Sequence, residues 1–519
     1  MKYISLFLFI PLYLAAQPSF NYRYHFNFRA AVLTSIELID SSVYATGIIA
    51  DSIYPYRTGV FFAKFSLDGV PEFVKTIEDT SKTYQLWYNN LMLSLDGNLL
   101  VSGYATDSIM MALVIKYDLN GDTLFMRKYR SHFYPEDPFL AGYSIAQGKD
   151  SNIYVLNWAG NPSGISNAEL TITKLDKEGH LIWQKPYGNY LWDEPGFITS
   201  IDDYFIIGSV KKNINLTDQN YTSQNHFFAI DSSGQTLWSS SSPINELMDI
   251  PHSIVPTQDG GFVVATGLGE EWYANPRTNG LWRKSGYIYK LNPGMETEWA
   301  VEFEAPISYH FNKLNKIIAV SDGSGYVAAG MMTEVYSTTD LDFHGWLVKV
   351  SEEGDSLWSR KLRFLEEGAV DDLHEIFDLE EMPDGSLLLA GQVEDLSLPT
   401  QRQQAWLLKV DAFGCLVPGC HLVNEVKFET PTDAILLLYP NPAKDYLNVF
   451  LKDQHVFQRE NPYFSIVNST GQLIKQFTSD SLDEATHILP IEDLSAGAYF
   501  LKYLDKEHVL ISKPFIVVE

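Results

Sequence analysis

Short runs of alternating apolar and polar residues fill most of this 519-residue chain, and turn-forming residues separate the runs. A period of two over four to eight residues is typical of half-buried β-strands. One pattern recurs: Lys-x-Asp, a glycine about three residues later, and then an aromatic residue. Seven copies are present, some with substitutions, beginning at Lys64, Lys116, Lys174, Ala229, Lys290, Lys349 and Lys409.

A second element precedes most copies. It is a turn containing aspartate, followed by an apolar run that ends at a glycine, as from Asp96 to Gly103 and from Asp384 to Gly391. The aromatic residue after the Lys-x-Asp element is tryptophan in four units and phenylalanine in the first two. These residues are Trp183, Trp238, Trp299, Trp358, Phe73 and Phe125.

Units of about 52 to 61 residues with four short strands are the sequence signature of β-propeller blades. We interpret each unit as strand a, a turn, strand b ending at the glycine, a variable loop, strand c ending in Lys-x-Asp, a tight turn and strand d with the aromatic residue. Seven units predict a seven-bladed β-propeller. We expect the aspartates to serve turn geometry and the tryptophans to pack between neighbouring sheets.

The seventh unit lacks a strand d, because the segment from Cys415 to Cys420 is short and contains Pro-Gly. The aromatic and polar residues that alternate from Phe20 to Phe28 belong to no other unit. We therefore predict that this N-terminal segment completes the seventh blade and closes the ring. A disulfide between Cys415 and Cys420 is the favoured state of the two cysteines, with a stabilising effect of about 2 kcal/mol, and a reduced pair is the alternative.

The first residues predict a secretory signal peptide, residues 1–16, with Lys2 before an apolar run and small residues before the expected cleavage after Ala16. No later stretch approaches the roughly 20 apolar residues of a transmembrane helix. We assign residues 17–424 to the propeller, 425–433 to a polar linker and 434–519 to a further domain. Export through the periplasm is the expected route.

The C-terminal domain has its own strand pattern. Leu447, Val449 and Leu451 alternate with other residues, and glycines at 471 and 497 provide hairpin turns. Several short strands separated by turns predict a small antiparallel β-sandwich. An ordinary β-sandwich binding module would show the same pattern.

Specific motifs in this domain point to a family. The segment 439–442, the glycines near 471 and 497 and the lysine near the end occur in the order found in type A C-terminal sorting domains of the type IX secretion system, and the domain resembles them. The chain as a whole resembles secreted propellers with such a tail. The resemblance implies an immunoglobulin-like sandwich, the secretion machinery as partner and a secreted or outer-surface location. The corresponding residues are Tyr439, Pro440, Asn441, Pro442, Gly471, Gly497, Tyr499 and Lys513. The proline after Lys513 departs from the family's pattern.

Composition narrows the possible partners. The chain has 37 Lys plus Arg against 65 Asp plus Glu, a net charge of −28. Such an acidic surface repels nucleic acid and anionic membranes, so neither is an expected partner. The 30 Tyr, 30 Phe and 11 Trp supply large apolar side chains for packing between sheets.

The long insertions fall in the b–c loops and in the connections between blades, which share one face of a propeller. Binding residues concentrate on such loops over a rigid scaffold, so this face is the candidate ligand-binding site. Packing of the loops is the alternative role for the same side chains. The candidates are Trp192, Asp193, Glu194, His252, Glu271, Trp272, Tyr273, Asp371 and His374.

No catalytic motif or metal-ligand spacing stands out. Asp118 to Asp122 is similar to part of a calcium loop but lies at a repeated turn, so we expect no cofactor, with calcium as a weak alternative. The favoured function is binding of an extracellular glycan or protein, without catalysis. The alternatives are a carbohydrate-active enzyme with its site on the long-loop face and a structural adhesin of the cell envelope.

Overall fold

The computed structural model describes two compact units, Met1–Leu416 and Val417–Glu519, which are treated separately below. The described residues are 19–51, 57–133, 139–160, 168–188, 193–214, 221–242, 249–270, 283–303, 310–337, 340–365, 372–417, 420, 435–439, 443–452, 462–468, 472–478, 486–505 and 508–518.

The first unit consists of seven four-stranded antiparallel blades, as predicted. In the first six the strands lie side by side in chain order, and in the seventh β1 from the start of the chain is the fourth strand; a single parallel bridge, Phe343 to Leu373, joins blades 6 and 7. Blades 1 to 3 comprise β2 (Ala30–Ile39), β3 (Ser42–Ala50), β4 (Thr58–Ser66) and β5 (Pro71–Ile77); β6 (Thr83–Leu93), β7 (Leu99–Thr106), β8 (Met110–Tyr117) and β9 (Thr123–Tyr129); and β10 (Phe139–Gln147), β11 (Ile153–Gly160), β12 (Ala168–Leu175) and β13 (Leu181–Pro186).

Blades 4 to 7 follow the same order. They comprise β14 (Asp193–Ile201), β15 (Tyr204–Ile214), β16 (Tyr221–Asp231) and β17 (Thr236–Ser241); β18 (Ser253–Pro256), β19 (Phe262–Glu270), β20 (Arg283–Leu291) and β21 (Thr297–Phe303); β23 (Lys313–Ala319), β24 (Tyr326–Ser337), β25 (Asp340–Val350) and β26 (Ser356–Leu362); and β27 (Leu373–Glu381), β28 (Leu387–Glu394), β29 (Gln403–Val410) and β1 (Phe20–Tyr24). The short β22 (His310–Phe311) pairs in parallel with β20.

Seven apolar clusters hold the blades together, one between each pair of neighbours, including blades 7 and 1. The sheets therefore form a closed ring, and the predicted seven-bladed propeller is confirmed. The a–b and c–d turns are short and share one face, which we call the short-turn face. The b–c loops and the connections between blades share the other, the long-loop face.

The predicted ring closure is confirmed as well. Strand β1 pairs antiparallel with β29, with Phe20 opposite Lys409. In blade 3, Trp183 stands opposite Lys174 in the same way. Phe20 therefore occupies the position of the strand-d aromatic residue in the seventh blade.

The strand-d aromatic residues pack against the next blade, as expected. A Cβ on Gly354 of blade 6 would lie 2.6 Å from the ring of Trp299, and one on Gly69 of blade 1 would lie 2.8 Å from Phe20. Both glycines have positive φ, so the turn needs glycine for its backbone conformation and for the neighbouring ring.

The aspartates of the repeat act within the turns. Asp118 Oδ1 accepts the backbone N–H groups of Asn120 and Asp122, and the aspartates of other c–d turns do the same. In blades 2, 3, 5 and 7 the strand-c lysine pairs with the aspartate of the a–b turn, as in Lys174 Nζ to Asp150 Oδ2 at 2.9 Å. Turn geometry and these ion pairs thus account for the turn aspartates and for four of the repeat lysines.

One detail of the predicted blade is wrong. Strand b continues past its glycine, since β3 extends beyond Gly47 to Ala50. The glycine instead lies opposite a bulge in strand a, where a Cβ on Gly47 would approach the Val32 carbonyl oxygen to 2.0 Å and one on Gly391 the Glu375 oxygen to 1.9 Å. The conserved spacing in the repeat marks this bulge and not the strand end.

The second unit contains two sheets around one apolar core. One sheet has the order β30 (Ile435–Tyr439), β31 (Tyr446–Lys452) and β34 (Thr486–Pro490); the other has the order β33 (Leu473–Thr478), β32 (Pro462–Asn468), β35 (Gly497–Asp505) and β36 (His508–Val517). Leu447 and Val449 are buried in this core with Phe464 and Phe515. The predicted alternation and the two-sheet arrangement are both present.

Cys415 and Cys420 are disulfide-bonded. The predicted boundary at residue 424 and the linker 425–433 lie outside the described residues, as does the signal peptide, and they stay predictions. None of the helices in the described part of the chain is long and apolar enough to cross a membrane.

Candidate functional site

The innermost strands carry bulges at mid-height of the central channel. The unpaired residues are Thr34, Tyr143, Gly196, Asn315 and Phe377 in five of the blades. In β6 the bulge is larger, because the pairing with β7 is interrupted between Leu86 and Leu91. Bulges of this kind redirect side chains away from the pleat.

Residues 87–90 of this bulge, which we call the plug, reach several other blades. The Tyr88 ring stacks on Phe377 of blade 7 at 3.9 Å and meets His252 of blade 5 at 6.4 Å. Asn89 Nδ2 donates to the Asn315 carbonyl oxygen of blade 6 at 2.7 Å. Because these residues of blade 2 contact blades 5, 6 and 7, which are not its neighbours in the ring, the plug must lie across the channel.

Further contacts fix the plug at its sides. Trp87 stacks on Tyr143 of blade 3 at 4.4 Å. The backbone N–H of Asn90 donates to Ser35 Oγ of blade 1 at 2.6 Å. The plug therefore contacts five other blades and separates a long-loop mouth of the channel from a short-turn mouth.

Ionisable side chains surround the long-loop mouth. Lys313 Nζ lies 2.5 Å from Glu375 Oε1, and Gln392 Nε2 donates to the other Glu375 oxygen at 3.2 Å. Glu194 and Asp249 lie close enough to Tyr143 to raise the pKa of its hydroxyl, although burial is the larger cause. Glu194, Lys313 and Glu375 lie near the starts of inner strands, and Asp249 precedes another.

The two tyrosines at this mouth keep their protons. Burial, reinforced by Glu375, raises the pKa of Tyr88 to about 12. The pKa of Tyr143 is raised further by burial. At neutral pH both hydroxyls are consequently hydrogen-bond donors and are unsuited to act as general bases.

The short-turn mouth contains a second charged cluster. Lys316 Nζ lies 2.9 Å from Asp378 Oδ1 and 3.9 Å from Glu380 Oε1. The backbone N–H of Ile36 in blade 1 donates to Asp378 Oδ2 at 2.9 Å. The cluster thus links strands of blades 6, 7 and 1.

Two carboxyl groups of this cluster are poorly stabilised as anions. Burial, followed by the charge of Glu380, raises the pKa of Glu37 from 4.5 to about 8. Burial likewise raises the pKa of Glu380 to about 7, although Lys316 opposes the shift. Burial lowers the Lys316 pKa, but the neighbouring carboxylates more than compensate and raise it overall. Glu37 and Glu380 can therefore exchange protons near neutral pH.

The structure brings two of the predicted ligand-binding residues to the channel. His252 meets Tyr88 of the plug, and Glu194 lies near Tyr143. Asp193 is 1% exposed. The other candidates except His374 lie outside the described residues: Trp192, Glu271, Trp272, Tyr273 and Asp371.

His374 lies in the interior between blades 6 and 7 and is fully buried. Its Nδ1 bonds the Phe343 carbonyl oxygen at 3.0 Å, and its Nε2 accepts the Leu365 N–H at 3.2 Å. Burial lowers the pKa of the imidazole to about 4. Both ring nitrogens are thus engaged in holding the segment between the two blades.

Sequence reasoning missed most of the channel residues, including the plug and the clusters around Glu375 and Glu37. A signal for part of them was present. Lys313 and Lys316, like Glu375 and Asp378, are three residues apart in apolar strands, a spacing that puts side chains on opposite faces of a regular strand. The intervening bulge returns both to the channel side.

Metal ligation finds no support among the described side chains: they contain no group of three or more His, Cys, Asp or Glu residues suited to hold an ion. The calcium alternative concerned Asp118, whose Oδ1 accepts two backbone N–H groups. The expectation about cofactors stays a prediction.

In the second unit, the backbone and side chains of several expected sorting residues are described. Tyr499 packs on Phe515 at 5.8 Å, and its hydroxyl donates to the Ser495 carbonyl oxygen at 2.8 Å. Gly497 begins β35, and Lys513 of β36 stands opposite Leu501 of β35. Tyr439 ends β30, and the remaining ones lie outside the described residues: Pro440, Asn441, Pro442 and Gly471.

By fold and site, the protein is a seven-bladed β-propeller with a plugged channel, followed in the chain by a small β-sandwich. Residues 437–518 match the family described as a secretion system C-terminal sorting domain. The sandwich is therefore a type IX sorting domain, and the protein is secreted to the cell surface or the exterior. A search of curated proteins finds no match.

Several solved structures are similar in outline. A polysaccharide lyase, Uly1, is 10% identical, with 73% of this chain and 90% of that one covered and a TM-score of 0.43. An ulvan lyase is 9% identical, with 76% of this chain and 97% of that one covered and a TM-score of 0.44. Drosophila Plexin A in complex with Semaphorin 1b is 9% identical over 76% and 86%, with a TM-score of 0.40. With TM-scores below 0.5, these likenesses carry no inference about ligand or activity.

Proposed function

We propose that the protein is a secreted or cell-surface binding protein that recognises an extracellular glycan or protein through the long-loop mouth of its channel. The observation that carries this proposal is the plug. It gives the mouth a fixed floor of aromatic rings, with Tyr88 stacked on Phe377 and Trp87 on Tyr143. Rigid aromatic surfaces with polar groups around them are suited to ligand binding.

The polar groups at this mouth favour binding over catalysis. Glu375 is engaged by Lys313 and Gln392, which holds its charge in place. The hydroxyls of Tyr88 and Tyr143 stay protonated and can donate hydrogen bonds to a ligand. A fixed carboxylate and neutral donors suit recognition of hydroxyl-rich or peptide ligands.

A glycan and protein array on the purified mature protein, with and without calcium, tests this proposal. His252→Ala and Glu194→Gln change two mouth residues and leave the stacked floor in place, so we expect each variant to bind at least several-fold more weakly. Glu302→Gln, on the exposed part of β21, serves as the control and should bind normally. Equal binding by all three variants would contradict a site at this mouth.

One observation supports the alternative of a carbohydrate-active enzyme. Glu37 and Glu380 lie near each other, with raised pKa values of about 8 and about 7, and a protonated carboxyl group is the general acid of most glycosidases. These residues lie at the short-turn mouth, whereas the sequence had suggested the long-loop face. Cleavage of a polysaccharide panel by the protein, abolished in Glu380→Gln, would favour this alternative.

The export route forms part of the proposal. A signal peptide at residues 1–16 would direct the chain through the general pathway into the periplasm, and the sorting domain would then engage the type IX machinery. An immunoglobulin-like topology for that domain is the family's expectation and agrees with its two packed sheets.

A further inference from the structure

A groove on the short-turn face separates blades 5 and 6. It is a cavity of about 680 Å³, and its walls include Asp259, Lys290, Glu298, Trp299, Glu352 and Glu353. The walls of the groove thus contain four carboxylate groups and one ammonium group. Lys290 is already neutralised, because its Nζ lies 2.5 Å from Asp259 and 2.8 Å from Glu298.

Other blades show what usually occupies the corresponding position. In four of them a Lys or Arg follows two residues after the strand-d aromatic residue and lies over its ring. The distances are 5.6 Å for Lys75 and Phe73, 5.8 Å for Arg127 and Phe125, 5.1 Å for Lys185 and Trp183, and 5.3 Å for Arg360 and Trp358.

Three of these cations also bind the c–d turn of the next blade. Arg127 Nε donates to the Glu178 carbonyl oxygen at 2.9 Å, and Lys185 Nζ to that of Ser233 at 2.7 Å. Lys75 instead pairs with the carboxylate of Asp122 at 2.8 Å. Each of these three cations therefore bridges an aromatic ring of one blade and an acceptor-rich turn of the next.

Blade 5 lacks this cation. Val301 stands two residues after Trp299 and pairs with Ile288, just as Lys185 pairs with Ile172 in blade 3. The facing turn of blade 6 contains the exposed Glu352 and Glu353, and no described Lys or Arg forms an ion pair with either. The groove thus presents a ring and an acidic turn without the bridging charge.

We propose that this groove binds a basic segment of a partner polypeptide, with a Lys or Arg side chain placed over Trp299 and paired with the Glu352–Glu353 turn. The ring is held in position, since Trp299 Nε1 donates to the Glu352 carbonyl oxygen at 3.0 Å. The partner side chain would take the role that Arg127 and Lys185 have within the chain. This site lies on the face opposite the long-loop mouth and does not depend on the function proposed there.

The test is binding of a fluorescent Gly-Arg repeat peptide to the full-length protein, followed by anisotropy, with a Gly-Glu repeat as the negative probe. Val301→Arg places a guanidinium group of the protein itself at the position of the missing cation. Because this group occupies the site over Trp299 and repels the arginines of the peptide, the variant should bind the peptide about tenfold or more weakly. Ser240→Arg is the matched control, because it places the same residue two positions after Trp238 in blade 4 and changes the net charge equally. It should leave the affinity unchanged.

Neutralising the two carboxylates of the turn provides an independent test. The double variant Glu352→Gln, Glu353→Gln should weaken the peptide about tenfold while thermal unfolding stays as in the wild type, since both side chains are exposed. Equal losses in Val301→Arg and Ser240→Arg, or no peptide binding at all, would overturn the proposal. A glycan ligand that Val301→Arg displaces would also overturn it in favour of a sugar site.

Discussion

The carboxyl group of Glu37 offers a quantitative test of the channel's electrostatics. It is half-buried beside Glu380 and Lys316, and desolvation and the charge of Glu380 raise its pKa from 4.5 to about 8. A carboxyl group with a raised folded-state pKa stabilises the folded state below its unfolded pKa, and this contribution is lost as the pH rises through the folded value. The propeller should therefore lose stability between about pH 4.5 and about pH 8 on account of this group.

The size of the effect follows from the shift. A difference of roughly 3.5 pKa units corresponds to about 5 kcal/mol at 1.36 kcal/mol per unit. Water entry and movement of Lys316 will relieve part of it, so we expect about 2–5 kcal/mol. Glu37→Gln removes the titrating group and keeps its shape, so the variant should exceed the wild type by this amount above about pH 8 and match it within about 1 kcal/mol below pH 4.5.

Urea unfolding across this pH range, followed by tryptophan fluorescence, measures the difference. All 11 tryptophans lie between Trp87 and Trp406, so the signal reports the propeller alone. Glu302→Gln, at an exposed position, is the control and should follow the wild-type curve. The same pH dependence in wild type and Glu37→Gln would refute a buried, destabilised carboxyl group at this position.

Three further outcomes follow from the fold. Deleting residues 18–28 removes the strand that closes the ring and should lower the thermal midpoint sharply; an unchanged midpoint in differential scanning calorimetry would contradict closure by β1. Gly391→Ala should destabilise the propeller by about 3 kcal/mol through overpacking, because the new Cβ would lie 1.9 Å from a backbone oxygen. Gly294→Ala, where the nearest atom is a side-chain oxygen at 3.2 Å, should cost much less in the same denaturant titration. Removing residues 434–519 should leave the propeller folded but confined to the periplasm in cell fractionation, and normal surface display of the truncated chain would show that export does not need this domain.

The repeat was visible in the sequence because each of its elements has a local cause. The c–d aspartates bind backbone N–H groups of their own turn, and at six of the seven junctions the strand-d aromatic residue contacts the c–d turn glycine of the next blade. Even the closure by Phe20 could be predicted, since the seventh unit lacked a strand and the N-terminal segment had none to pair with. Interactions that are local and recur in every blade produce a repeated residue pattern in the sequence.

The channel could not be read in the same way. The plug at residues 87–90 is an insertion in one blade, and its partners Phe377 and Asn315 come from blades far away in sequence. Nothing in the local pattern shows that Tyr88 reaches His252. Burial is the main cause of the raised pKa of Glu37, and Glu380, which only the closed ring brings near, adds to the shift. Glu194 and His252 were predicted because they flank long loops, without knowledge of the floor beneath them.

The pairing of β1 with β29 also bears on how the chain is made and exported. Trp406 Nε1 donates to Asn21 Oδ1 at 2.6 Å across 385 residues of sequence. Strand β1 is synthesised before any of the blades and stays unpaired until β29 has been made, and contacts so distant in sequence form slowly. A product of premature termination would keep an open edge on each side of the gap, and such edges invite aggregation and proteolysis. Ring closure is therefore expected only in chains that contain all seven blades.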